Sequence, residues 1–278
     1  MKLSRKVALG SFFLLSLPLS LAYGVDIEGV QLQGQWQQGA VIRGRAEAGI
    51  QLKFLGRDLK MSPRGDFVLG LGRDHGTSAE LIKIDAQGEQ RFEIPVKQRE
   101  YRVQRVNGVP KKTVHPDAEQ VKRSRAEAAL VWKARMQNEA KTDYLSEFTW
   151  PLLGPITGVY GSQRVYNGSP GRPHFGVDVA APTGTVVVAP APGVVSLVHE
   201  DMFFSGGTLI VDHGHGLTSA FIHLSKILVE PGQVIQQAQP IAEVGATGRV
   251  TGPHLDWRMS WFDQRVDPQL LVGEMPAH

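Results

Sequence analysis

Pro173-His174-Phe175-Gly176-Val177-Asp178 sets a histidine and a carboxylate four residues apart. On an α-helix the two side chains would meet, but Pro173, Gly176 and the neighbouring valine oppose a helix. On a fully extended strand they would share a face yet lie about 13 Å apart. One metal ion, bound at about 2 Å from each ligand, cannot be reached that way. The chain must therefore bend, with His174 on a loop and Asp178 entering a strand. Pro173 and Gly176 make that bend.

The stretches on either side support a β reading. Val186-Val187-Val188, Val194 to Val198, Thr208 to Val211 and Ser219 to Ile222 read as strands. They are separated by turns at Ala191-Pro192-Gly193, His213-Gly214-His215-Gly216 and Glu230-Pro231-Gly232. No long amphipathic helix interrupts them, so the sheet is expected to be antiparallel rather than parallel α/β. His223 is expected to end its strand and project into a groove. Further on, His254-Leu255-Asp256 alternates with period two, which puts His254 and Asp256 on one face and Leu255 in the core. Their backbone positions are about 6–7 Å apart, so one can bind a metal while the other stands beside the metal-bound water. Histidine and carboxylate are the usual ligands of a catalytic zinc that keeps a position open for water. His213 and His215, in a Gly-rich turn, read as hydrogen-bonded structural residues, with His213 a candidate support for a ligand. Tyr160, Arg164, Trp257 and Trp261 are candidates to line a groove or, equally for the two tryptophans, to fill the core.

Toward the N-terminus the pattern changes twice. Residues 25–103 carry short alternations such as Gln51 to Leu55, Asp66 to Leu69 and Glu80 to Ile84, and read as a small β-sandwich-like domain with no evident chemistry. Residues 104–147 read as a basic linker. Within it a helix capped at Asp117 runs to about Ala140, with Glu119–Arg123 and Arg123–Glu127 pairs. Its apolar stripe is Val121, Ala128, Val131 and Ala134. Residues 1–24 read as a cleaved signal peptide: Lys2, Arg5 and Lys6 precede an apolar run from Val7 to Leu21, with small residues at Ala22 and Gly24. The run is short for a bilayer span, so no stable membrane span is expected after cleavage. Without the leader's three basic residues the chain carries 27 basic and 27 acidic side chains, which gives no support for nucleic-acid binding. The chain has no cysteine, so no disulfide is available.

The order and flanks of these motifs are more specific than any one of them. Gly158-Val159-Tyr160-Gly161, Pro173 to Asp178, Pro190 to Val195, Asp212 to Gly216, His223-Leu224-Ser225 and Thr247-Gly248-x-x-Thr251-Gly252-Pro253-His254-Leu255 together resemble the lysostaphin-type M23 metallopeptidase family. The resemblance covers about 120 residues, and the N-terminal part resembles the extra domain of one branch. It implies a mainly β protein whose C-terminal domain, 148–272 before a tail at 273–278, is an antiparallel sheet with a narrow metal-site groove. It implies Zn²⁺ bound by His174, Asp178 and residue 256, with His223 and His254 as catalytic residues. The implied substrate is a peptide bond in peptidoglycan, and the implied location is the periplasm or the outside of the cell.

Position 256 departs from the family, which expects histidine where this chain has Asp256. Aspartate can bind zinc, but a second carboxylate makes the site neutral, which raises the pKa of bound water and weakens the Lewis acid. Three readings stay open: a working site with an unusual ligand, a site tuned to another metal, or a disabled one. The alternative function is an M23-like regulator that binds the wall or activates a partner wall hydrolase. A third reading is a wall-binding module with a structural metal.

Overall fold

The computed structural model describes residues 27–106 and 118–276. The expected leader, the Asp117 cap and the last two residues lie outside them. The strands β1 (Val30–Gln33), β2 (Val41–Ala46), β3 (Gln51–Phe54), β4 (Arg57–Asp58), β5 (Asp66–Gly70), β6 (Ser78–Asp85) and β7 (Gly88–Pro95) come first. They form two antiparallel sheets, β1-β2-β5 and β4-β3-β6-β7. Period-two alternation sorts them: Ala79 and Leu81 of β6 are buried while Glu80 between them is exposed. Next come β8 (Val103–Val106), α1 (Ala118–Arg135), β9 (Ile156–Gly158), β10 (Gln163–Tyr166), β11 (Ser169–Pro170), β12 (Gly176–Ala180), β13 (Val186–Val188) and β14 (Gly193–Met202). After them run β15 (Gly206–Asp212), β16 (Leu217–Ile227), β17 (Val234–Ile235), β18 (Pro240–Val244), β19 (His254–Trp261), β20 (Gln264–Val266) and α2 (Gln269–Val272). The protein is mainly β. The large sheet has the order β17-β14-β15-β16-β19-β12-β9, with β18 on β16, β13 on β18 and β20 on β19.

Alternation along β19 decides where the site sits. Leu255, Trp257, Met259 and Trp261 are buried in the core, and His254, Asp256, Arg258 and Ser260 lie on the opposite face. Trp257 and Trp261 are therefore core residues and do not line a groove. Tyr160 is buried too, donating its hydroxyl to the Arg265 carbonyl at 2.7 Å. The N-terminal sheets close the far end of the core: Phe54 meets Trp261 at 5.8 Å between ring centroids. Ion pairs Arg57–Asp263 and Arg99–Asp267, both at 2.9 Å, join the two parts.

The linker differs from its sequence reading in four ways. Its first residues form β8, which pairs in parallel with β10, so the linker is partly sheet. Helix α1 ends at Arg135 rather than near Ala140. Tertiary bonds win over helix propensity there: Glu139 accepts from His215 N at 3.1 Å, and the buried Arg135 donates to the Phe262 carbonyl at 2.6 Å. The stripe also shifts, because Ala128 is exposed and Glu127 takes its place beneath the helix. Arg123 pairs with Glu127 at 2.7 Å and with Asp201 at 3.0 Å instead of with Glu119. Glu127 also accepts from Phe203 N at 2.9 Å, which fastens the helix to the loop between β14 and β15.

His213 has a structural role, while the His215 ring packs on Tyr144 at 4.8 Å with its Nδ1 left without a partner. The Nδ1 of His213 donates to the Pro192 carbonyl at 2.7 Å, and its Nε2 accepts from the Ser219 hydroxyl at 2.8 Å. Burial pushes its pKa down to about 4. The unfolded chain, with an ordinary histidine pKa near 6.5, then binds an extra proton between those two values. Stability is lost as pH falls through that window, by up to about 2–3 kcal/mol at pH 4.5. A comparison of urea midpoints at pH 7 and 4.5 is expected to show a smaller acid loss in His213→Gln than in wild type, by about that amount. Equal losses would contradict the assignment.

Candidate metal centre and catalytic histidines

His174 lies on the loop before β12. Its backbone is held by His174 N to Ser162 O and Gly161 N to His174 O, each 2.8 Å. The antiparallel register of β12 and β19 sets Asp178 directly opposite Asp256, and Ala180 opposite His254. Two carboxylates facing each other across a strand pair repel, so this register needs positive charge at the site. His174 Nε2 lies 3.2 Å from Asp178 Oδ1, and His254 Nε2 lies 3.8 Å from the same oxygen. His174 Nε2 and Asp178 Oδ1 are both buried without a hydrogen-bond partner. One ligand atom each from His174, Asp178 and Asp256 falls within 4.8 Å of the other two. Orphaned, converging nitrogen and oxygen donors of this kind fit a divalent cation such as zinc.

Two glycines make room for the carboxylates. A β-carbon at Gly158, opposite Asp178 on β9, would run into the Asp178 carboxylate. One at Gly176 would strike the Asp256 carboxylate and come within 2.6 Å of Arg258 Cγ. Any larger residue at either position pushes a carboxylate off its strand face.

Asp256 is buried and bound by Arg258. The Arg258 Nε lies 2.9 Å from Oδ1 and 3.1 Å from Oδ2, and Nη2 lies 2.5 Å from Oδ2. Burial alone would push the Asp256 carboxyl up. The Arg258 guanidinium, helped by His174 and His223, outweighs burial and holds it below the usual carboxylate range. Each carboxylate oxygen has two lone pairs, so the pairing leaves room for a metal bond.

His223 does not end its strand. β16 continues to Ile227 by changing partner: Ile222 pairs with Asp256 of β19, whereas Leu224, Lys226 and Ile227 pair with β18. His223 sits at this switch with φ 67°, a left-handed conformation uncommon outside glycine. Its Nδ1 lies 2.9 Å from the Thr247 carbonyl. A carbonyl only accepts, so Nδ1 carries the proton and Nε2 keeps its lone pair. His254 is fixed the same way by the Gly252 carbonyl at 2.9 Å. The two rings lie 5.1 Å apart. Burial, only partly offset by the bond to Thr247, lowers the His223 pKa and keeps the ring neutral near pH 7.

Thr247 and Arg258 were not singled out from sequence. The Thr247 hydroxyl donates to Leu224 O at 2.8 Å and accepts from Gly207 N at 2.9 Å, so it pins the loop whose carbonyl orients His223. Arg258 was legible in principle, because period two puts it on the same face as His254 and Asp256. Arg164 stays at the periphery, its Nε 3.3 Å from the Gln104 side-chain oxygen.

Fold and site together define a class: an antiparallel β-sheet that gathers His and Asp donors for one divalent cation beside two imidazoles with free nitrogens. The model of peptidase family M23 matches residues 172–268. A crystal structure of a putative peptidase M23 from Pseudomonas aeruginosa is 30% identical, with a TM-score of 0.67, over 86% of this chain and 96% of that one. Peptidoglycan DD-endopeptidase ShyB of Vibrio cholerae is 39% identical over 95 residues, 34% of this chain and 22% of that protein. Cell division protein DipM of Caulobacter vibrioides is 30% identical over 132 residues, 45% of this chain and 21% of that protein. The matched part thus spans about a fifth of these curated relatives' length. The chain belongs to peptidase family M23.

Proposed function

We propose that this protein is a zinc-dependent endopeptidase that hydrolyses a peptide bond of peptidoglycan outside the cytoplasm. The observation that carries the reading is the pair of orphaned buried atoms, His174 Nε2 and Asp178 Oδ1, converging with Asp256 beside His223 and His254. His174, Asp178 and Asp256 would hold the metal, which when bound polarises a carbonyl and lowers the pKa of water. His223, neutral and held through Nδ1 by Thr247, offers Nε2 to accept a proton. His254, held through Nδ1 by Gly252, offers a second nitrogen 5.1 Å from it between ring centroids, to relay that proton or, once protonated, to donate to a developing oxyanion. The cell-wall substrate and the location are supported by the relatives named as peptidoglycan endopeptidases. Among the described residues no helix is long and apolar enough to cross a membrane.

The grip of Arg258 on both Asp256 oxygens motivates a second reading, a catalytically impaired regulator that binds the wall or stimulates a partner amidase. A digest separates the two. Incubated with purified sacculi, the protein is expected to release shorter muropeptides, and a chelator is expected to stop the release. Uncut sacculi, with a partner hydrolase stimulated instead, would favour the regulator.

A further inference from the structure

His223 and His254 are held by their rings, because a backbone carbonyl accepts the Nδ1 proton of each. Metal-binding histidines are usually oriented in this way through the ring nitrogen that does not face the metal. Among the described residues no such bond holds the ring of His174. Its placement therefore falls to its backbone, and the partner of that backbone is the turn at Gly161-Ser162. Gly161 N donates to His174 O and His174 N donates to Ser162 O, each at 2.8 Å. Gly161 has φ 81°, in the left-handed region that favours glycine.

Residues from the N-terminal part and the linker grip this turn. Arg73, in the loop between β5 and β6, donates through Nε to the Gly161 carbonyl at 3.0 Å. Tyr101, between β7 and β8, covers the other side of the same residue, since a β-carbon at Gly161 would run into the Tyr101 ring. The Arg102 carbonyl accepts from Gln163 N at 2.9 Å, where β8 joins β10. The gripping residues also hold each other. Arg73 Cζ stands 4.5 Å from the Tyr101 ring centroid, and the Tyr101 hydroxyl donates to the Arg73 carbonyl at 3.3 Å. A second line runs through aromatic rings. Tyr101 meets Tyr160 edge-on at 6.1 Å, and Tyr160 meets Phe175, the residue after His174, edge-on at 6.4 Å.

We propose that Arg73 and Tyr101 are positioning residues for the metal ligand His174, acting through the Gly161-Ser162 turn. The N-terminal part of the chain is then the outer support of the metal centre. The inference rests on the reading of His174 as a metal ligand. It gives neither residue any contact with the substrate or the reacting atoms. Zinc–nitrogen distances keep within about 0.2 Å of their usual value, so a loosened His174 backbone shows first as weaker metal binding.

The test titrates the purified, metal-free full chain with Co²⁺ and follows the visible absorption of the bound ion. Zinc affinity comes from competition with a chromogenic chelator. In Tyr101→Ala and in Arg73→Gln zinc affinity is expected to fall about tenfold, the low end of what loss of an outer support costs a metal site, and the cobalt spectrum to change shape. Tyr101→Phe keeps the ring over Gly161 and is expected to bind as wild type does. Neither side chain is fully buried, so the variants are expected to fold. If Tyr101→Ala does not fold, Arg73→Gln decides alone. A thermal melt of each metal-free variant separates a loosened site from a weakened fold. Variants that melt earlier, yet while folded bind zinc as tightly as wild type with an unchanged cobalt spectrum, overturn the proposal and leave the contacts merely structural. An equal loss of affinity in Tyr101→Phe and Tyr101→Ala also overturns it. A wild type that takes up neither ion overturns the reading of His174 as a ligand, and the proposal with it. That outcome is distinct from failure of the proposal alone, in which wild type and variants bind metal alike.

Discussion

His174→Ala is expected to strip the metal from the protein and to lower kcat/KM on cross-linked wall fragments by roughly 10³-fold or more. A bound metal supplies several kcal/mol of charge stabilisation, and each 1.4 kcal/mol is a factor of ten. His174 contributes one of the two orphaned atoms, so its removal takes away a donor that nothing replaces. The fold is expected to survive, because the loop is held by backbone bonds to Ser162 and Gly161 that truncation spares. Elemental analysis, muropeptide chromatography and a thermal melt check the three parts. Retained metal with full activity would remove His174 from the ligand set.

Asp256→His, which restores the residue the family expects, is predicted to damage this protein. The sequence alone suggests the opposite, since a second carboxylate makes a zinc site neutral and a histidine would return it to +1. Arg258 changes that arithmetic. Its charge, bound directly to Asp256, already brings the native site to +1. The single substitution leaves a largely buried guanidinium without its partner, which costs about 3 kcal/mol, and raises the local charge to +2. Asp256→His combined with Arg258→Ala returns the charge to +1 and is expected to recover most of that stability. Chemical denaturation of the two variants and wild type, with turnover measured alongside, is the check. A single variant that is fully stable and faster than wild type would mean that Arg258 plays no compensating role.

The candidate site residues were legible because their chemistry is local: His174, Asp178, His254 and Asp256 are donor types at spacings that only a bend or a strand face can use. The two-sheet N-terminal part was legible through alternations such as that in β6, where Leu81 is buried and Glu80 exposed. What stayed hidden depends on contacts across the chain. The end of α1 is set by Phe262 and His215, more than 70 residues away, which no propensity encodes. The position of His223 depends on β16 trading β19 for β18, which left a strand end and a bulge looking alike in sequence. Arg258 drew no reading from the sequence, because only the register shows that Asp178 and Asp256 face each other beside it. Arg258 binds one of those two facing carboxylates directly.

The most direct measurement is zinc content by elemental analysis on the purified wild-type protein, made on the same sample as a sacculus digest. About one zinc per chain together with released shorter muropeptides is the expected result. A protein that takes up no divalent metal even when it is supplied, and leaves sacculi uncut, would contradict a catalytic metal centre on His174, Asp178 and Asp256.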